Sequence, residues 1–227
     1  MTDTLTQFPT STAWLLHVST DVVIFTIFED SLMVLLRQRY SDTLKKSSWA
    51  LPGGYLRPVE SLEKCAIRTL SQQTGIEDVY HEQLYTFGRP DRHPRSRVIT
   101  VSYLALMRSH EADGIVKSPN IQWHEVHALP ELYLDHAEII NIAQQRLVSK
   151  LGYSTIAFQL APELFTLSEL QRIYEIILSE TLDKRNFRKR IQSLEHVEKT
   201  DLFRRNCAHR PARLYRYARP NELHYMK

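Results

Sequence analysis

Apolar and polar positions along the chain repeat with two periods. Residues 21–29 (DVVIFTIFE) form a dense apolar run, and Asp30-Ser31 turns it into residues 32–39 (LMVLLRQR), which predicts a β-hairpin. Extended segments are predicted again at 79–87, at 98–107 and, with half-exposed alternation, at 121–126. Two helices lie among them. Residues 61–74 place Leu62, Ala66, Ile67 and Leu70 on one face, and Gly75 stands where a left-handed C-terminal cap belongs. Residues 136–151 carry a stripe of Ala137, Ile140, Ala143 and Leu147, with Asp135 as the expected N-cap and Gly152 as the stop. Strands interleaved with one helix and closed by another predict an α/β/α sandwich.

A different pattern follows. Thr166 and Glu169 have the spacing of a capping box, and Leu167, Leu170, Tyr174 and Ile177 line one face of the helix it starts. Residues 179–182 form a turn, and Asp183 caps a second helix over 184–194. Phe187, Ile191 and Leu194 recur at helical spacing and must face a core. Lys184 and Arg188 form one outward row, and Arg185, Lys189 and Gln192 form another. Residues 200–205 and 212–219 read as two basic strands around a turn. A basic helix across a short turn from a capped helix, followed by a basic ribbon, is the layout of a winged helix-turn-helix. Lys184, Arg185, Asn186, Arg188 and Lys189 are expected to enter the major groove of double-stranded DNA, with Arg204, Arg205 and Arg210 on phosphates or the minor groove. The competing readings of this basic surface are a solvated helix face, an RNA site or a dock for an acidic protein.

Charge supports this division. The overall +3 conceals a segment from Asp183 onward with thirteen basic and five acidic residues, net +8, against net −5 for the 182 residues before it. The domain boundary is placed at Gly152, giving an N-terminal domain of residues 1–152 and a DNA-binding domain of residues 153–227. Hydrophobic content of 43% and charged content of 24% are those of a soluble globular protein, and no apolar run of about 18 residues offers a membrane span. The first residues lack the basic start and apolar block of a signal peptide, and Cys65 and Cys207 stand far apart, so a cytoplasmic location is expected. His124-Glu125-Val126-His127 sits in an extended segment without the spacing of a helical zinc motif.

The chemistry concentrates in residues 51–76, LPGGYLRPVESLEKCAIRTLSQQTGI. Gly54, Glu60, Arg68, Gly75 and Ile76 reproduce the scaffold of the Nudix box, whose pattern is Gly, five residues, Glu, seven residues, Arg-Glu-apolar-any-Glu-Glu-any-Gly-apolar. The resemblance stops at the metal. Thr69, Gln72 and Gln73 stand where the pattern has glutamates, and none offers an anionic oxygen to a hard cation. Hydrolysis of a diphosphate by the usual metal route is therefore not expected, although Glu60, Glu63 or a loop carboxylate could serve an enzyme with displaced ligands. Loss of these anionic groups also removes their repulsion of a diphosphate, which suits a pocket that binds a nucleotide and leaves it intact. In this resemblance Glu60 pairs with Arg68 to brace the box. The basic turn at 88–97 (GRPDRHPRSR) suits phosphates and ribose hydroxyls.

Taken whole, the chain resembles the Nudix-related transcriptional regulators of NAD metabolism, the NrtR family, most specifically in FTLSELQRIYEIILSETLDKRNFRKRI (165–191), TFGRPDRHPRSRV (86–98) and LDHAEII (134–140). That resemblance implies a Nudix α/β/α sandwich followed by a winged helix-turn-helix. It also implies a homodimeric repressor on palindromic operator DNA near NAD genes, released by ADP-ribose or a related nucleotide, with no cofactor required. Arg37, Arg39, Arg57, Gln72, Asp91, Arg95 and Arg97 are the implied effector contacts; Arg89, His93 and Ser96 depart from the family's commoner loop. The alternative is an ADP-ribose or nucleoside-diphosphate pyrophosphatase with a nucleic-acid-binding appendage.

Overall fold

In the computed structural model, which describes residues 16–41, 46–112, 119–204, 211–219 and 223–225, the first strand, β1 (Leu16–Phe28), is buried on both faces along its middle. Such a strand needs a layer on each side. The elements that follow in order are β2 (Ser31–Ser41), β3 (Lys46–Ala50), β4 (Gly53–Tyr55) and α1 (Leu62–Thr74). After them come β5 (Tyr80–Phe87), β6 (Arg97–Leu106), α2 (Ser109–Ala112), β7 (Ile121–Glu125) and α3 (His136–Leu151). The main sheet runs β3-β2-β1-β6-β5, with β4 added to β1 and β7 to β2; β1 and β6 are parallel. Alternation along the strands separates the two cores. Val22, Ile24, Leu35, Val101 and Tyr103 pack with Ala66 and Leu70 of α1. Val23, Phe25, Val34, Leu36 and Leu104 pack with Ile139, Ile140, Ala143 and Leu147 of α3. The α/β/α sandwich expected from the periodicity is the observed architecture.

The differences are local. The hairpin turns at Glu29 and Asp30, whose φ angles of 46° and 62° suit a tight two-residue turn, so β2 begins at Ser31. Strands β3 and β4 add to the predicted elements; three to five residues are too few to show a period. Asp135 precedes α3 without a side-chain cap bond, for a reason seen in the pocket below.

Beyond Gly152 come a 3-10 turn (Ile156–Gln159), β8 (Leu164–Phe165), α4 (Leu167–Leu178), α5 (Lys184–Gln192), β9 (Val197–Arg204) and β10 (Ala212–Tyr217). The strands form an antiparallel sheet in the order β8-β10-β9. The capping box is present: Glu169 N donates to Thr166 Oγ1 at 3.1 Å, and Thr166 N donates to Glu169 Oε2 at 2.8 Å. Asp183 caps α5 by accepting from Asn186 N at 2.8 Å. Phe187 meets Tyr174 edge-on at 5.2 Å. Ile156, Phe158, Phe165, Leu170, Tyr174, Phe187, Ile191 and Tyr217 belong to the same apolar cluster as the α3 face, so this module is seated directly on the back of the sandwich. Among the described residues no helix is long and apolar enough to cross a membrane.

Candidate functional site

A pocket opens where the ends of β1 and β4 meet the basic loop 88–96 and the start of α3. Ser19, Asp21, Arg39, Gly53, Gly54, Arg92, His93, Tyr133, Leu134 and His136 are among its lining residues. Its floor is a charged network. Arg92, only 6% exposed, donates from Nε and Nη2 to the two oxygens of Asp135 at 2.8 and 2.9 Å. This pairing engages the Asp135 carboxylate and explains why it does not cap α3. Asp21 Oδ2 accepts from Thr100 Oγ1 at 2.7 Å and lies 4.0 Å from Arg92 Nη2. Leu51 N donates to His136 Nδ1 at 2.8 Å, which makes Nδ1 the unprotonated nitrogen and puts the ring proton on Nε2, 3.9 Å from Asp21 Oδ1. Burial pushes the His136 pKa down, against Asp21 and Asp135, which raise it. Leu134 closes the wall with φ +48°, a left-handed conformation that costs a non-glycine residue about 1–2 kcal/mol.

Glycine is required at the mouth: a side chain at Gly53 would strike the Asp21 carboxylate and the Thr20 carbonyl, and one at Gly54 would strike Thr69. Beneath this turn lies the box helix. Gly53 N donates to Gln73 Oε1 at 3.0 Å and Gln73 Nε2 donates to Gly53 O at 2.8 Å, so one neutral amide clasps the backbone of Gly53 through both its donor and its acceptor. Thr69 is buried and donates to Cys65 O and Ala66 O at 2.9 and 3.1 Å. Glu60 receives Arg68 Nε and Nη2 at 2.5 and 2.8 Å, the brace expected from the box, and this pairing holds its carboxyl down to about 2. The remaining Glu63 is exposed beside His81. These residues do not fit a divalent metal: the positions that would hold it are a buried hydroxyl, an exposed amide and a latched amide, and the nearby Glu60 carboxylate is taken by Arg68.

Of the effector contacts expected from the sequence, Arg39 lies on the pocket, its guanidinium 4.5 Å above the Tyr133 ring. Arg37 is half-buried just behind; burial and the neighbouring Arg39 push its pKa down, while Asp21 opposes them. The other five do not line the pocket. Gln72 is exposed on α1 and accepts from Arg68 Nη1 at 3.4 Å, and Arg57 is exposed, its backbone N bonded to Glu60. Asp91 and Arg95 point to solvent, and Arg97 donates to Arg89 O at 3.0 Å. The loop instead presents Arg92 and His93 to the pocket, and burial followed by Arg39 and Arg92 lowers the His93 pKa. Sequence reasoning included Arg92 only as one member of the basic turn, took Asp135 for a helix cap, and did not single out His136 or Asp21. A usable signal was Asp21 itself, a carboxylate at the head of the apolar run 21–29.

The second site is the outer face of α5. Lys184, Arg185, Asn186, Arg188 and Lys189 are all exposed, opposite the buried Phe187 and Ile191. Lys184, Arg185, Arg188, Lys189, Gln192 and Ser193 border one solvent-open hollow. Arg204, expected on DNA, pairs with Glu169 and donates to Leu164 O at 3.1 Å, which ties β9 to the start of α4 and leaves its side chain 39% exposed. Arg205 and Arg210, with Cys207, lie outside the described residues.

Sandwich, box remnant and basic helix together define a class: a Nudix domain carrying a winged helix. Comparison with known proteins agrees. Residues 16–145 match the NUDIX domain family, and residues 157–217 match the NrtR DNA-binding winged helix domain. The ADPR-responsive transcriptional repressor NtrR of Acinetobacter baylyi is 40% identical over 203 residues, covering 87% of this chain and 80% of that protein. The crystal structure of Shewanella oneidensis NrtR complexed with a 27mer DNA superposes with a TM-score of 0.81 at 33% identity, covering 90% of this chain and 95% of the other. An ADP-ribose pyrophosphatase of Methanocaldococcus jannaschii is 27% identical over 55% of this chain and 73% of its own length. The chain belongs to the NrtR family of Nudix-fold transcriptional regulators.

Proposed function

We propose that this protein is a cytoplasmic repressor of NAD biosynthesis or salvage genes. As a homodimer it binds palindromic operator DNA, and ADP-ribose or a related nucleotide releases it. Residues 1–152 form the effector domain and residues 153–227 the DNA-binding domain. The observation that carries the reading is α5: a capped helix whose Phe187 and Ile191 are buried while five polar or cationic side chains face outward in adjacent rows. Similarity to a repressor described as ADPR-responsive, and to a regulator crystallised on DNA, supports both halves.

In this reading Lys184, Arg185, Asn186, Arg188 and Lys189 meet the groove, while Arg205 and Arg210 of the wing reach phosphates. Arg204 holds the wing through Glu169. The nucleotide is held by Arg39, Arg92 and His93, with Arg37 behind them and Gly53-Gly54 allowing close backbone approach. Binding requires no metal, and the diphosphate stays intact because the box residues offer no carboxylate cluster. The ligand must favour the dimer arrangement that does not fit the operator, since equal affinity for both arrangements shifts nothing. Arg188→Ala tests the division of labour. Operator binding is lost while ADP-ribose affinity is unchanged; simultaneous loss of both contradicts separate sites. Metal-dependent release of AMP from ADP-ribose by the purified protein would favour the pyrophosphatase reading instead.

A further inference from the structure

One cation of the basic helix, exposed like its neighbours, reaches back to the sandwich. Arg190 donates from Nη2 to Leu151 O at 2.9 Å and to Gly152 O at 3.3 Å, and its guanidinium lies 5.8 Å from the centre of the Tyr174 ring. Leu151 and Gly152 are the C-terminal end of α3, where the last carbonyls have no partner within the helix and the helix dipole favours a positive charge. The DNA-facing helix is thus fastened to the end of α3 by a charge-assisted bond. The opposite end of α3 is the pocket wall: Asp135 is held by Arg92, and His136 is held by Leu51. Between these ends lie 16 helical residues, about 24 Å at 1.5 Å each. Ile139, Ile140, Ala143 and Leu147 of this helix are 0–1% exposed, which fixes it as a rigid body in a close-packed core.

We infer that α3 is the coupling rod between the effector pocket and the DNA-binding helix, and that Arg190 is the positioning residue that joins rod to helix. The inference rests on the reading of the pocket as the effector site. Phosphate oxygens entering beside Arg92 compete with Asp135 for its guanidinium and loosen the N-terminal anchor of α3. A rigid helix does not absorb such a displacement along its length, so its far end moves and Arg190 carries α5 with it. Helix shifts of about 1–2 Å at packed interfaces are enough to switch bistable assemblies. A second polar link among the described residues, Arg172 to Asp30 at 2.9 Å, ties α4 to the β1–β2 turn, away from α5 and from the end of α3.

The test uses full-length protein, the genomic DNA fragment that the wild-type chain retains, and ADP-ribose. The quantity read is the ratio of operator Kd with and without ADP-ribose, checked against the ratio of ADP-ribose Kd with and without the fragment, because binding linkage is reciprocal. In the wild type the ratio falls in the range of about 5–150 typical of allosteric coupling. In Arg190→Ala it drops below about twofold while ADP-ribose affinity of the free protein stays the same. Arg190→Lys, which keeps a cationic donor, restores part of it, and Arg172→Ala leaves it unchanged. Full coupling in Arg190→Ala overturns the inference, as does loss of coupling in Arg172→Ala alone. Loss of operator binding in both Arg190 variants, with ADP-ribose binding intact, would put Arg190 on the DNA face and overturn it too. A wild-type protein indifferent to ADP-ribose would remove the effector reading itself, a result distinct from these.

Discussion

The amide of Gln73 can be tested by a change of one atom. Gln73→Glu keeps the shape and the acceptor for Gly53 N, but places an ionised oxygen opposite the Gly53 carbonyl that Gln73 Nε2 now contacts at 2.8 Å. One hydrogen bond is lost and two acceptors are left facing each other in a part-buried place, a defect of about 1–3 kcal/mol. For a chain of this size that is a fall in melting temperature of about 2–12 °C. The penalty depends on ionisation, because a protonated glutamic acid again donates to the carbonyl. The carboxyl pKa is therefore raised in the folded variant, and the deficit relative to wild type is largest at pH 8 and shrinks as pH falls toward 5. A second reading comes from divalent ions. Gln72→Glu with Gln73→Glu adds two carboxylates to the box helix, so Mg²⁺ or Mn²⁺ raises the melting temperature of the double variant and not of the wild type. Scanning calorimetry at both pH values, with and without metal, makes the measurement. A Gln73→Glu protein as stable as wild type at pH 8, with no pH-dependent difference and no response of the double variant to metal, would refute the latch.

Other expectations follow from the same geometry. The native fold disfavours the protonated form of the buried His136, whereas the unfolded chain takes up a proton near the ordinary value of about 6.5. Stability is thus full above that pH and declines on acidification, and in His136→Asn, which keeps an acceptor for Leu51 N, the decline between pH 6.5 and 5 is smaller in urea titrations. Ile191→Ala removes a side chain with no exposure from the core under the basic helix and lowers unfolding free energy by about 2–5 kcal/mol in the same assay. Lys184→Ala removes one cation from the groove-facing helix, weakens operator binding and reduces the slope of log K against log salt by about 1, whereas an unchanged slope would remove Lys184 from the DNA interface.

Much of this architecture can be read from local patterns, because its elements have strong ones. The dense apolar run of β1, the Phe187–Ile191 stripe and the Thr166–Glu169 spacing each express a local physical requirement, and the structure meets all three. The pocket was harder for a corresponding reason: its key contacts are not local. Arg92 meets Asp135 across 43 residues, and Asp135 in sequence looks like a helix cap. Arg204 illustrates the same limit. A basic residue in a basic ribbon suggests a phosphate, yet Glu169, 35 residues earlier, has one oxygen for the Thr166 backbone and another for Arg204. Gln73 could be recognised as a missing glutamate, but its hold on Gly53 depends on where β4 passes over α1.

The central claim is that a basic winged helix binds a small set of operators and that a nucleotide in the sandwich releases it. Retention of sheared genomic DNA by the purified protein, with and without ADP-ribose, tests both parts at once. The account predicts enrichment of a few fragments near NAD genes, abolished by ADP-ribose. No enrichment in either condition would contradict it.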